Sequence, residues 1–302
     1  MSLFETVSGL AVRHLSGERL KRARNLYLTG RRKAEPMLRW IHGTFDSEAL
    51  RTHLEDRIGT EFEILMVHSS VNNMQPMFTD SPMNLVRMLM DYCGPERTLV
   101  MPAFYFGDPA IGGPPATFRQ RPHFDIRRMP SQMGLATELF RRSKGVLQSR
   151  HPVYRVAALG PLAATVTQGH ESAGSPAGPG TPFDVMAAHD TLILGLGKPF
   201  EVLTQVHHAE YVLGDAFPVP QRPPGEPVTM TLIDGEEEIP FALKARAFEG
   251  RLNMWKLRDI MDSKSLREWR FHHAPMFATR ASEVTHALLN AAKHGVTLYD
   301  KP

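Results

Sequence analysis

The sequence predicts an α/β fold, a layered α/β/α arrangement around a central mixed sheet with an added antiparallel hairpin region. Three observations carry that prediction. Short runs at 62–68, 98–101 and 191–195 read as strands, the last of them an apolar run and so buried on both faces. Stretches with helical spacing and capping residues alternate with them, the pattern of a sheet covered by helices. After Pro218, VTMTLID and EEEIPFAL flank Gly235, which reads as a hairpin with an Asp-Gly turn that makes the sheet mixed.

In chain order, residues 1–15 lack a signal-peptide pattern, because Glu5, Arg13 and His14 interrupt any apolar stretch. Residues 19–39 crowd Arg19, Lys21, Arg22, Arg24, Arg31, Arg32, Lys33 and Arg39 among leucines, so 1–44 reads as a basic N-terminal extension. A solvated helix and a segment that meets a partner or an anionic surface both fit it. Residues 45–302 read as one domain. Helices are expected at Ser47–Ile58, at 80–92 behind a cap at Asp80 or Ser81, at 132–143 and at Ala281–Lys293. Strands are expected at 62–68, 98–101, 155–159 and 191–195. The Gly/Pro-rich stretches 107–122 and 169–182 read as long loops, which in compact domains often cover binding sites.

At 302 residues and 42% hydrophobic, the chain can bury a large core, and no apolar run reaches the length of a membrane span. The sole cysteine, Cys93, excludes an intramolecular disulfide and a cysteine zinc site and fits a cytoplasmic location. The net charge of +3 suits anionic ligands, and no nucleic-acid signature accompanies it.

The most informative stretch is TLILGLGKPFEVLTQVHHAEYVL. A buried strand leads through a loop to a helix capped by Thr204, and its His207 and Glu210, three residues apart, share one helical face. Chemistry on open α/β sheets gathers beyond strand ends, so a site is expected here. A metal is not, since H-E-x-x-H is absent and no third ligand is suitably spaced.

This stretch resembles the aminoglycoside 3-N-acetyltransferase family, in which such a strand precedes T-x-x-H-x-x-E, here Thr204, His207 and Glu210. Further motifs follow in family order: VHSS at 67–70, TLVMPAF at 98–104, Phe124 with Asp125, MPSQMG at 129–134, SRHP at 149–152, AALGPLA at 157–163, His170, and G-x-x-x-P at 178–182. The resemblance covers roughly 45–220 and implies an acetyl-CoA-dependent N-acetyltransferase with no metal, acting on an amino group of an aminoglycoside or other amino sugar. It makes 45–302 the acyltransferase domain.

The resemblance implies catalytic roles for His170, Glu210 and His207. His170 is the expected base, oriented by Glu210, because an ammonium must lose its proton before it attacks. His207 stays open as a partner of Glu210, an acceptor contact or the base itself. His208 points elsewhere on the helix and is expected to pack. Coenzyme A contacts are expected from His68, Ser69, Ser70, Ser131, Gln132, Ser149, Arg150 and Thr204: amides and hydroxyls at the strand end, a helix N-terminus at 131–132, and a guanidinium for phosphate. Direct transfer is expected, since no G-x-S-x-G elbow offers a serine nucleophile.

Asn72-Asn73-Met74-Gln75 departs from the family, which has a glycine there, and Thr181 replaces its common serine. Arg119, Arg121, Arg127 and Arg128 together with the basic balance favour an anionic or neutral amino sugar, including a nucleotide-linked one, over a polycationic drug. A catalytically degenerate member serving as a binding partner in glycan or secondary-metabolite assembly is the alternative, and a homodimer is compatible with either.

Overall fold

The computed structural model describes residues 29–30, 34–223, 225–244 and 246–300. The chain divides into two units, Met1–Thr44 and Phe45–Pro302. In the first, helix α1 (Glu35–His42) is described; most of the basic stretch at 19–39 lies outside the described residues.

In the second unit, α2 (Ser47–Ile58) starts on Asp46, whose carboxylate accepts from Ala49 N at 2.8 Å. Strand β1 (Ile64–Ser69) is buried along its length and runs into a single-turn helix α3 (Val71–Met74). Helix α4 (Pro82–Cys93) is capped by Ser81 with a bond from Asn84 N at 3.1 Å, while Asp80 accepts from Ser47 N instead. Then follow β2 (Thr98–Pro102), α5 (Pro114–Gln120), β3 (His123–Asp125), α6 (Leu135–Arg141), β4 (Leu147–Gln148), β5 (Val156–Leu159), α7 (Ala163–Thr167) and α8 (Pro182–Ala188). Strand β6 (Thr191–Leu196) leads to α9 (Val206–Leu213), followed by β7 (Val228–Asp234), β8 (Glu237–Leu243), β9 (Arg251–Leu252) and α10 (Leu257–Ile260). Strands β10 (Arg267–Phe271) and β11 (Ala274–Arg280), helix α11 (Ala281–Lys293) and β12 (Tyr299–Asp300) end the described chain.

The main sheet has seven strands in the order β10-β11-β6-β1-β2-β5-β4. Its centre, β6-β1-β2, is parallel, and the strands outside it add on antiparallel. The sheet is therefore mixed, as expected, but for a different reason. The 228–243 hairpin forms its own three-stranded sheet with β3, and the antiparallel edges come from β4, β5, β10 and β11.

Two other expectations change. The 107–122 loop contains α5, which begins on the two prolines that a first helical turn accepts without losing a hydrogen bond. The helix expected at 132–143 spans only Leu135–Arg141, because Gly134, at φ 115°, breaks the chain direction in front of it. Apolar side chains on one face of the parallel centre and on the elements packed against it make a large core, including Ile64, Met66, Val100, Ile193, Phe183 and Phe277. At about 1.5–3 kcal/mol per buried large side chain, this core fixes the strand ends that carry the site. Gly195 shares a register row with His68 and Phe277, and a Cβ there would lie 2.2 Å from the Phe277 ring, so the close crossing needs glycine.

Candidate active site

Strand β6 ends at Leu196, and Gly197 turns the chain with φ 63°, so close to β1 that a Cβ would lie 2.5 Å from the Ser70 carbonyl oxygen. The chain then rises into α9, which carries His207 and Glu210. His207 Nδ1 lies 3.0 Å from Glu210 Oε2. The Tyr299 hydroxyl donates to Glu210 Oε1 at 3.1 Å. A carboxylate only accepts, so Nδ1 of His207 carries the proton and Nε2, which has no hydrogen-bond partner among the described residues, is left as the acceptor. The side chain of Glu210 is 7% exposed and that of His207 is 23% exposed, which places the carboxylate behind the imidazole and the imidazole at the surface of the site. Burial alone would lower the His207 pKa; the hydrogen bond and charge of Glu210 outweigh it, and the pKa is raised above the ordinary histidine value. Tyr154 meets His207 edge to face at 6.2 Å, and burial with the Glu210 charge pushes its phenol up to about 12, so it stays protonated.

His170 stands elsewhere. It is 1% exposed, with Nε2 at 2.9 Å from the Pro176 carbonyl and Nδ1 at 2.9 Å from Ser149 Oγ. The carbonyl must receive a proton, so Nε2 holds it and Nδ1 accepts from the serine. Burial pulls the pKa down to about 4, only partly offset by the carbonyl. Both nitrogens are therefore engaged and the ring is neutral. The expectation that Glu210 orients His170 is corrected: the carboxylate serves His207 and Tyr299, and His170 pins the 169–178 loop to Ser149. His208 packs, as its position on the helix requires, with Nδ1 2.7 Å from the Ala177 carbonyl.

At the end of β1, Ser70 N donates to the Leu196 carbonyl and Ser70 Oγ accepts from Asn73 N at 3.3 Å, so the amide expected to be open is used by the fold. The Ser70 O–H can still donate, and the neighbouring Ser69 hydroxyl has no hydrogen-bond partner among the described residues. His68 is buried with neither ring nitrogen bonded among the described residues, and burial followed by the Lys198 charge lowers its pKa to about 3. Thr204 is not the cap. Gln205 precedes α9, and Thr204 Oγ1 is buried with no partner among the described residues.

The other residues expected to contact coenzyme A hold partners within the protein. Ser131 and Gln132 lie in a loop, not at a helix start. Ser131 Oγ accepts from Met133 N, and Gln132 bonds Phe106 N at 2.6 Å and the Gly107 carbonyl at 2.8 Å, which clamps the 104–107 segment. Ser149 is fully buried between Val156 N and His170. Arg150 pairs with Asp234, Glu237 and Glu171. Arg121, Arg127 and Arg128 pair with Asp108, Asp234 and Asp125, so three of the four loop arginines already have a carboxylate partner.

Tyr299 and Tyr154 escaped the sequence reading. Tyr299 lies 89 residues from Glu210 in a stretch with no pattern of its own, and Tyr154 stands two residues after the SRHP motif with nothing to mark its ring as facing His207. Among the described residues, no group of three or more His, Cys, Asp or Glu side chains could hold a metal ion, and no helix is long and apolar enough to cross a membrane. A carboxylate-backed imidazole with one free nitrogen, raised in pKa and open to the site, can take a proton from an amine.

A family model described as aminoglycoside 3-N-acetyltransferase matches residues 66–291. The chain is 32% identical over 135 residues to aminoglycoside N(3)-acetyltransferase IX of Micromonospora chalcea, covering 42% of this chain and 48% of that one. It is 33% identical over 144 residues to the type VII enzyme of Streptomyces paromomycinus, covering 45% and 49%. The match thus spans about half the length of these relatives. In structure it is similar to aminoglycoside acetyltransferase AAC(3)-Xa, with a TM-score of 0.69 and 22% identity over 88% of this chain and 99% of that one. It also resembles AAC-IIIb in its binary complex with CoASH, with a TM-score of 0.67 and 20% identity over 85% and 99%. At these identities the structures show the shared fold.

Proposed function

The chain belongs to the aminoglycoside 3-N-acetyltransferase family, and on that premise we propose that it transfers an acetyl group from acetyl-CoA to an amino group of an aminoglycoside or another amino sugar. The observation that carries the reading is the His207–Glu210 pair, with its outer carboxylate oxygen held by Tyr299. A free Nε2 with a raised pKa is what deprotonation of a substrate ammonium needs near neutrality.

The residues present fit a thioester cosubstrate. Thr204 Oγ1 is a buried, unpartnered hydroxyl at the entry to α9, and the Ser69 and Ser70 hydroxyls stand at the adjoining strand end. These would hold the pantetheine amides. Bound acetyl-CoA would supply an activated acetyl carbon: its C–S bond would break as the amide C–N bond forms, and coenzyme A would leave as the thiolate and take up a proton. His207 Nε2 takes the proton that the acceptor nitrogen loses, and Glu210 stabilises the imidazolium through Nδ1–H. Tyr299 keeps the carboxylate fixed while that charge appears. His170, engaged at both nitrogens, shapes the loop that borders the site.

The test is thiol release from acetyl-CoA, screened against aminoglycosides and neutral and anionic amino sugars. Acceptor-dependent release that disappears in His207→Asn supports the reading. Absence of release with every amine, while acetyl-CoA still binds, would overturn it.

A further inference from the structure

A cavity of about 520 Å³ lies between the 169–176 loop, the end of α9 and strand β8, and His151 reaches into it. His151 is 4% exposed. Its Nδ1 accepts two backbone bonds, from Val153 N at 3.1 Å and Tyr154 N at 2.9 Å. Two donors on one nitrogen leave it no proton, so the proton sits on Nε2, and among the described residues that N–H has no partner. The ring is fixed by stacking on His170 at 4.7 Å and by the edge contact of Phe241 at 5.4 Å. Protonating Nδ1 would break both backbone bonds. His151 is thus a rigid, neutral hydrogen-bond donor.

The charges around the cavity are uneven. Arg222, Lys244 and Arg246 line it, against Glu171 and Asp215. Glu171 lies 3.7 Å from Arg150, and Asp215 accepts from Gln221 at 3.3 Å. The Arg222 and Lys244 side chains have no ion-pair or hydrogen-bond partner among the described residues. Arg246 stacks on Tyr211 and Phe248 and donates to the carbonyls of Glu210 and Gly214, which ties the cavity wall to the helix that carries His207. Tyr154 bridges the two places, edge on to both His151 and His207. A polycation would meet a net positive wall and a donor that cannot accept from it.

We propose that this cavity is an acceptor subsite for an oxyanion, so that the amine acetylated at His207 belongs to a molecule that also bears a phosphate or a carboxylate. Resting on the transferase reading for what happens at His207, the assignment makes His151 Nε2–H the orienting donor and Arg222 and Lys244 the countercharge. It corrects the arginine set, since the loop arginines at 119–128 that first suggested an anionic acceptor are mostly paired.

Inorganic phosphate and acetate, titrated separately into the full chain saturated with CoASH, test it through the ring ¹⁵N shifts of His151, assigned with His151→Gln. A saturable shift is expected, weakened about tenfold or more in the Arg222→Ala/Lys244→Ala double variant. The anion that shifts His151 at lower concentration names the group. No shift with either anion, or a shift only when CoASH is left out, overturns the proposal; the second result would make the cavity a seat for the cosubstrate's phosphates. The titration needs no turnover, so its failure is separate from a failure of acetyl transfer, which His207→Asn reports.

Discussion

Replacing Glu210 by glutamine removes the charge behind His207 and little else. The amide oxygen can still accept from His207 Nδ1, which lies 3.0 Å from the present carboxylate oxygen, and the buried position suits a side chain of the same shape. A hydrogen bond to a charged group contributes about 1.5–3 kcal/mol, which corresponds to about one to two pK units. In the native protein the hydrogen bond and charge of Glu210 together outweigh burial and raise the His207 pKa. With the charge gone, only a neutral hydrogen bond is left to oppose burial, and the titration midpoint should fall clearly below its native value. The sign for stability follows: the raised pKa stabilises the fold below the unfolded value of 6.5, and this contribution is lost as pH rises through the folded pKa. Glu210→Gln should therefore be more destabilising in mild acid than in mild base. The assay is an NMR titration of the His207 ring, independent of any acceptor. An unchanged midpoint in Glu210→Gln would refute the claim that the carboxylate sets this histidine's proton affinity.

Three other predictions follow from the same contacts. His170→Gln should cost about 1–3 kcal/mol of stability in denaturant unfolding, from two disturbed buried hydrogen bonds, while leaving the acid limb of the kcat/KM profile in place; a shifted limb would return His170 to proton transfer. Because His170 has its folded pKa lowered to about 4, its contribution is complete above 6.5 and drains away as pH falls between those values. That loss is on the order of 3 kcal/mol, so Tm should drop clearly between pH 7 and pH 4.5, and a flat Tm would argue against the buried neutral ring. Gly195→Ala puts a Cβ 2.2 Å from the Phe277 ring and should destabilise by about 1–3 kcal/mol or more, read as a lower denaturation midpoint; a neutral effect would mean that β11 can move off β6.

Much of this architecture is legible locally. Ser47–Ile58, Ala281–Lys293 and the 191–196 strand declare themselves by period and caps, and His207 and Glu210 meet because three residues on a helix share a face. What local pattern cannot supply is pairing at a distance. The His170–Glu210 expectation failed because proximity in a motif list is not proximity in space: Ser149 lies 21 residues before His170 and takes its Nδ1. Tyr299 completes the Glu210 site from the far end of the chain. The hairpin at 228–243 was readable as a hairpin, yet its docking on β3 instead of the main sheet depends on Phe118, Phe124 and Tyr105 forming a second small core. Arg150 looked free until Asp234 and Glu237 came back across that hairpin.

The most direct test of the account is the rate of thiol release from acetyl-CoA by His207→Asn, measured with whichever acceptor the native protein acetylates best. Loss of the base should lower kcat by about 10² or more while the KM for acetyl-CoA stays near its native value. Native turnover in this variant would contradict the assignment of His207 as the group that takes the proton.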